Sequence, residues 1–404
     1  MKKYLQVALG IFTSIGGFLE VGAIATTAQA GAQFGFRLAW VLLLGTICVI
    51  FLVEMSGRLS AVSKHTLQDA MRERFGAGFF LVSTIPGMVV DWLVLASEIG
   101  GVALALQLVT GIGYQWWAFP VAIAAWLLMW KGNLGLVENG TALLGLVALS
   151  FAVAAVRLHP PLHDLAAGLV PSFPRSDGAS YWFLAVSILG ALISPYLFFF
   201  YSSGAIEDQW DENHIGSNRF TAIVGMSFGA VLAFGVLTAA AMVFYPRGIQ
   251  VDRYEQVALM LTEALGRPGL YLFAGALGIT CFGACLEVAL GRAYVLAQGF
   301  GWNYTLNSPP ADSARFSLVY TGMIGSAAVL MALGIDPLTL TVFSMALTAV
   351  TLPLVTLPFI LLMNDRAYMG EYRNGWIGNV AVVGISLLAS LIALVAIPLQ
   401  LLGG

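Results

Sequence analysis

Long apolar stretches, separated by short polar connections, make up almost the whole chain. Windows with little or no charge recur from one end to the other, each near the roughly 20 residues an α-helix needs to cross a ~30 Å hydrocarbon layer. Read in order, they predict eleven membrane spans at about 4–33, 38–57, 77–109, 116–130, 134–156, 180–206, 218–245, 268–300, 315–334, 337–363 and 377–401. The first is expected to stay in the mature protein, because its apolar stretch is too long for a signal peptide and no small-residue cleavage site ends it. Between the second and third spans, residues 65–76 break the pattern. Leu67, Met71 and Phe75 recur every fourth residue while Arg72, Glu73 and Arg74 fall elsewhere, which predicts a short amphipathic helix lying in the membrane interface.

Two spans contain features that a continuous helix tolerates poorly. Within residues 1–36 the only charge beyond Lys2 and Lys3 is Glu20, flanked by Gly16, Gly17 and Gly22. A carboxylate at bilayer depth costs roughly 2.5–3.5 kcal/mol or more and by default marks a functional position. The glycines beside it point to a helix that breaks there, and such a break is tolerated only where it is buried in protein or lines a cavity. In the sixth span, Pro195 interrupts the apolar run just after Ser194, removing a backbone donor and clashing with the carbonyl of Ala191. Paired breaks five spans apart are the sequence sign of two inverted repeats with a binding site at the midplane. Repeat one would run from about 4 to 156, repeat two from about 180 to 363, with an extra helix at 377–401, all in one transmembrane transporter domain spanning 1–404.

Composition agrees. Of 404 residues, 59% are hydrophobic and 10% charged, which fits an all-α polytopic membrane protein and no soluble domain of this size. No basic run suggests a nucleic acid, and none is expected as a partner; the expected partners are the lipid bilayer and a small ion or solute. Eleven Lys and Arg residues fall in one set of loops and six in the other, placing the N-terminus in the cytoplasm and the C-terminus outside, with a bacterial inner membrane as the expected location. Cys48, Cys281 and Cys285 all lie in apolar helices without disulfide or zinc spacing, so packing is their expected role. No cofactor motif or nucleophile–base spacing is present, and neither an enzyme nor a cofactor is expected.

Other polar positions have two readings each. Asp91 and Glu98, seven residues apart, share a face of the third span and form either a proton or ion path or structural pairs with other helices. Glu287 and Arg292 are read as an ion pair within the eighth span, and Glu138 begins the fifth. Ser344, Thr348 and Thr351 share a face, lining a cavity or packing helices. His159 and His163 lie in a loop whose four prolines are expected to keep it extended. The aromatic run Tyr196, Phe198, Phe199, Phe200 and Tyr201 either packs the core or shapes a pocket for an organic or cationic solute.

Four stretches carry a family resemblance. AGAQFGFRLAWVLLL from Ala30, SEIGGVALAL from Ser97, GLVPSFP from Gly168 and MGEYRNGWIGN from Met369 are similar to the connection, third helix, outer loop and last inner loop of the Nramp divalent-metal transporters. The chain is identified as a member of that family, which implies a LeuT-type fold with eleven transmembrane helices, an inverted 5+5 repeat and broken helices 1 and 6. The resemblance also implies a site, and there the chain departs. Where the family has Asp-Pro-Gly-Asn, this chain has Glu20, Val21, Gly22 and Ala23; where it has Met-Pro-His, this chain has Ser194, Pro195 and Tyr196. The carbonyl-donating alanine corresponds to Ala191. A second histidine matches Tyr201, and of two third-helix acids Glu98 is kept while the other falls on Leu95.

Carried over residue by residue, the resemblance implies a substrate site of Glu20, Ala23, Ala191, Ser194 and Tyr196, with Glu20, Ala191 and Ser194 as metal ligands. Glu98, Asp91 and Tyr201 would lie along a proton or ion pathway. Replacing a thioether with a hydroxyl removes the preference for soft metals, and an oxygen set suits a hard cation such as Mg²⁺. The expected function is therefore secondary active transport of Mg²⁺ or Mn²⁺, proton-coupled through carboxylates. The alternatives are transport of a non-metal small solute and a non-transporting receptor-like domain.

Overall fold

A computed structural model describes residues 20–131, 145–172, 177–306 and 309–402. The start of the first span with Gly16 and Gly17, Glu138, and Arg175 of the outer loop lie outside the described residues. Within them the chain is helical: α1 Val21–Phe34, α2 Ala39–Ser63, α3 Leu67–Thr110, α4 Tyr114–Lys131, α5 Leu149–Arg157, α6 Leu162–Gly168, α7 Gly178–Leu192, α8 Pro195–Glu207, α9 Ile215–Val243, α10 Tyr254–Leu265, α11 Pro268–Phe300, α12 Ala314–Ala332, α13 Pro337–Asn364, α14 Arg366–Met369 and α15 Trp376–Leu401. Eight helices among the described residues are long and apolar enough to cross a membrane.

Of the two expected interruptions, the one in the sixth span lies wholly among the described residues. In the first span Glu20 is extended (φ −87°, ψ 176°) and α1 begins at the next residue; what precedes Glu20 lies outside the described residues. Between α7 and α8, Ile193 and Ser194 leave the helical region, and Pro195 opens α8 where its missing N–H costs nothing. A third interruption falls at Gly76 (φ 83°, ψ 170°) inside α3, a conformation essentially reserved for glycine. It separates an interface helix at 67–75, with Leu67, Ala70 and Met71 buried and Arg72, Glu73 and Arg74 turned outward, from the span at 77–110.

Two connections differ from the sequence reading. The proline-bearing loop is not extended throughout, because α6 forms between its two proline pairs; Pro161 sits at its N-terminal edge, a position proline favours over a helix interior. Residues 246–267, read as a loop, contain α10, which buries Tyr254, Val257, Ala258 and Leu261. These are spaced at helical period, so the signal was present but too short for a span.

The broken helix lies at the centre: 94% of its apolar window is buried, against 39% for α15. The half-helix α1 packs between α9, α7 and α13; α8 packs on α2 and α11; α3 and α11 run along one another. Small residues permit the close approaches. A Cβ at Gly190 of α7 would fall 1.8 Å from the Met345 carbonyl oxygen of α13. Gly190→Ala must therefore push two helices apart at the break, and a loss of about 1–3 kcal/mol of stability is expected. Thermal unfolding in detergent checks this; an unchanged midpoint would refute it.

Candidate functional site

The start of α1 and the α7–α8 break meet. Both oxygens of the Glu20 carboxylate accept hydroxyl hydrogen bonds, Oε1 from Ser194 Oγ at 3.1 Å and Oε2 from Tyr196. Glu20 and Tyr196 are buried, as is Ser194. The Ser194 hydroxyl also lies 3.2 Å from the carbonyl oxygens of Gly190 and Ala191. These carbonyls end α7 and lose their helical partners at the break. With one proton and three acceptors, this hydroxyl donates to one of them at a time.

Glu20 occupies the N-cap position of α1, yet its side chain caps nothing. Glu98 does that work from α3, its carboxylate accepting the Val21 N–H at 3.3 and 3.4 Å. A negative group at a helix N-terminus is favoured by the helix dipole. Cys281 of α11 packs on the same stretch of α3, its sulfur 2.5 Å from where a Cβ on Gly101 would fall. Tyr254 of α10 donates toward the Val21 carbonyl and Thr341 Oγ1, each at 3.3 Å. The start of α1 is thus held on both sides, by Glu98 of α3 at the Val21 amide and Tyr254 of α10 at the Val21 carbonyl.

The remaining candidates fall into separate places. Ala23 is fully buried in the first turn of α1, its carbonyl accepting from Thr27 Oγ1 at 2.5 Å. Asp91 does not join Glu98; it forms an ion pair with Arg292, whose Nε donates to Oδ2 at 2.9 Å. Arg292 therefore pairs across to α3 and not, as the sequence reading had it, within its own helix with Glu287. Helix rotation places its guanidinium over Gly87, where a Cβ would come within 2.9 Å of Nη2. Tyr201 points away from Glu20 and donates to Asn218 Oδ1 at 3.0 Å. Phe198, Phe199 and Phe200 are core residues, Phe198 stacking on Phe359. The hydroxyls of Ser344, Thr348 and Thr351 bond back to carbonyls of their own helix. His163 is exposed beside Asp164.

Two contributors escaped the sequence reading. Tyr254 was hidden in the unrecognised α10. Met345 packs so closely on α1 that a Cβ at Gly22 would lie 2.7 Å from its sulfur, and a methionine in an apolar run carries no sign of such a contact.

A cleft of about 680 Å³ opens at the end of the molecule that carries residues 245–252. Gln29 and Gln33 of α1, Asp177, Asp252 and Thr339 help to line it. Gln29 is nine residues beyond Glu20, or roughly 13 Å along the helix, so the cleft descends toward the site without reaching it. Among the described residues no three His, Cys, Asp or Glu side chains cluster as a metal cage.

A family model for natural resistance-associated macrophage protein-like (Nramp) sequences matches residues 10–398. The divalent metal cation transporter MntH of Aeromonas hydrophila is 26% identical over 386 residues, covering 92% of this chain and 91% of that protein. The divalent metal cation transporter MntH of Deinococcus radiodurans is also 26% identical, over 387 residues, 91% of this chain and 86% of its own. Among solved structures, a mutant manganese transporter from Eremococcus coleocola aligns with a TM-score of 0.81 at 20% identity, over 98% of this chain and 87% of that one. MHP1, a nucleobase-cation-symport-1 family transporter, aligns at 0.63 and 16% identity, over 97% and 91%. The architecture is that of the LeuT-type transporters. With a family model spanning nearly its whole length, the chain belongs to the Nramp family.

Proposed function

We propose that this protein is a secondary active transporter whose cargo is a hard divalent cation, Mg²⁺ or Mn²⁺, bound where the start of α1 meets the α7–α8 break. The observation that carries this is the donor set. A carboxylate (Glu20), two hydroxyls (Ser194 and Tyr196) and the carbonyls of Gly190 and Ala191 are linked in one buried chain of hydrogen bonds. Oxygen donors of this kind suit hard cations that keep part of their water. The relatives named above as divalent metal cation and manganese transporters support the same class of cargo.

To receive a cation, the Ser194 and Tyr196 hydroxyls must rotate their protons away and present lone pairs. Ser194 has acceptors waiting at Gly190 and Ala191, so its turn is inexpensive. With the N-terminus cytoplasmic, the cleft beside Gln29 faces outside and is the entry. The two inverted repeats at about 4–156 and 180–363 would rock about the site. Protons would move through Glu20, Glu98 and Asp91, because the four histidines, His65, His159, His163 and His214, all lie outside the spans.

A second reading has its own observation. Both Glu20 oxygens are already satisfied by hydroxyls, and a neutral small solute could use that network without displacing charge. Calorimetry and proteoliposome uptake with Mg²⁺ and Mn²⁺, beside a fluorescent pH reporter, separate the two. Cation binding with no more than severalfold preference for Mn²⁺ is expected. Ser194→Met with Ala23→Asn should raise Mn²⁺ affinity roughly tenfold, equivalent to about 1.4 kcal/mol, while Met345→Leu should leave the Mn²⁺/Mg²⁺ ratio unchanged. Absence of binding for either ion would retire the cation reading. A strong Mn²⁺ preference that Met345→Leu abolishes would show that the soft donor is Met345.

A further inference from the structure

Directly beneath the α7–α8 break, on the side away from the cleft, lies a small cavity whose largely apolar wall carries several polar groups. Gln68, Thr84, Asp91, Pro195, Arg292 and Thr351 line it. It has about 10 Å³ of room, enough for one water. Gln68 Nε2 and Thr84 Oγ1 are both buried and make no hydrogen bond among the described residues. Leaving buried polar atoms unpaired is costly, and where it occurs in a roomy polar site, water is the usual partner. Asp91 and Arg292 offset each other's charge, so a neutral guest fits better than an ion.

Gln68 is the feature that gives this cavity a use. It belongs to the interface helix 67–75, not to the span that supplies Thr84 and Asp91, and Gly76 separates the two. A Cβ at Gly76 would touch nothing, so its backbone conformation, and not crowding, is why a glycine stands there. The same short helix hangs from α8: its first N–H, on Leu67, donates to Ser202 Oγ at 2.7 Å, and Ser202 in turn bonds Ser60 of α2 at 2.7 Å. A shift of α8 is thereby transmitted to residues 67–75, and Gly76 is where the backbone can absorb it.

We propose that this cavity is a water-binding station on the exit side of the transport site, and that residues 67–75 are its hinged cover, with Gln68 as the plug. The word exit rests on the transport reading above; the cover and its hinge do not. In this arrangement water enters beneath Pro195 when the cover lifts, and the fixed Asp91–Arg292 pair lines the opened path. The neutral pair and the small volume exclude a standing cation, so the station conducts cargo only in the open state.

The test is thiol accessibility of the full chain in liposomes. The native Cys48, Cys281 and Cys285 are all buried and set the background rate. Thr84→Cys should react with a membrane-impermeant cationic methanethiosulfonate supplied from the Gln68 side roughly tenfold faster than background. Adding Gln68→Ala, or separately Gly76→Ala, should raise that rate roughly tenfold again by uncovering the cavity or destabilising the closed hinge. Ser83→Cys, at another lining position, replaces Thr84→Cys if the latter does not fold. Labelling at background in all variants would overturn the station. Labelling that neither Gln68→Ala nor Gly76→Ala changes would overturn the cover. Uptake is not the readout: lost uptake with this labelling pattern intact would count against the transport reading alone.

Discussion

Glu20→Gln is expected to reduce cation uptake by roughly 100-fold or more while leaving the fold in place. Among the described residues Glu20 is the charged side chain to which the Ser194 and Tyr196 hydroxyls donate, and removing one partner of a buried charge pair costs about 3–5 kcal/mol. The amide, by contrast, fits the existing network. Its oxygen accepts from one hydroxyl, and its nitrogen donates to Ser194 once that hydroxyl turns to the Gly190 or Ala191 carbonyl, each 3.2 Å away. Stability should therefore change by less than about 1 kcal/mol, the worth of one ordinary hydrogen bond. Uptake of Mg²⁺ and Mn²⁺ into proteoliposomes, read beside thermal unfolding, gives both quantities. Uptake within threefold of the parent would mean that Glu20 carries no cation, and would favour a neutral solute on the same hydroxyls.

Removing the charge that partners another buried acid, Asp91, should do the opposite, destabilising the fold before it touches binding. Arg292→Met leaves Asp91 without its ion-pair partner between α3 and α11, both side chains being buried. An uncompensated buried charge costs about 3–5 kcal/mol. Adding Asp91→Asn removes that charge, and the double variant should recover more than half of the loss. Buried ion pairs often break even against neutral replacements, so near-parental stability in the double variant is no surprise. The measurement is a double-mutant cycle of unfolding free energies in detergent. If the two single losses simply add, the pair is not coupled and the contact does not hold α3 to α11.

The break before α8 and the start of α1 at Glu20 were legible because each has a local cause. Pro195 lacks a donor wherever the helix is placed, and Glu20 with its glycines is an anomaly in a charge-free stretch regardless of neighbours. Gly76 was the exception. A lone glycine at the end of an amphipathic pattern reads as a boundary, and only the backbone angles show it to be a hinge within one continuous pair of helices. The family, too, was legible, since short stretches such as SEIGGVALAL and MGEYRNGWIGN carry it without any knowledge of contacts.

What the sequence by itself determined is the run of apolar helices, the break at Pro195, and which residues are too costly to bury without a reason. Which of those residues meet was decided only by the tertiary structure. Asp91 and Glu98 share a face by spacing, yet lie about two turns apart, roughly 10 Å, and answer to different neighbours: Arg292 of α11 for one, the Val21 amide of α1 for the other. Tyr196 reaching Glu20, Tyr254 reaching Val21 and Gln68 closing over Thr84 depend in the same way on the rotation of each helix about its axis. Periodicity reports the apolar face that a helix must bury. It is silent on which partner helix supplies the burial, because packing across 77 to 233 residues of chain is settled by the close fit of all the helices at once.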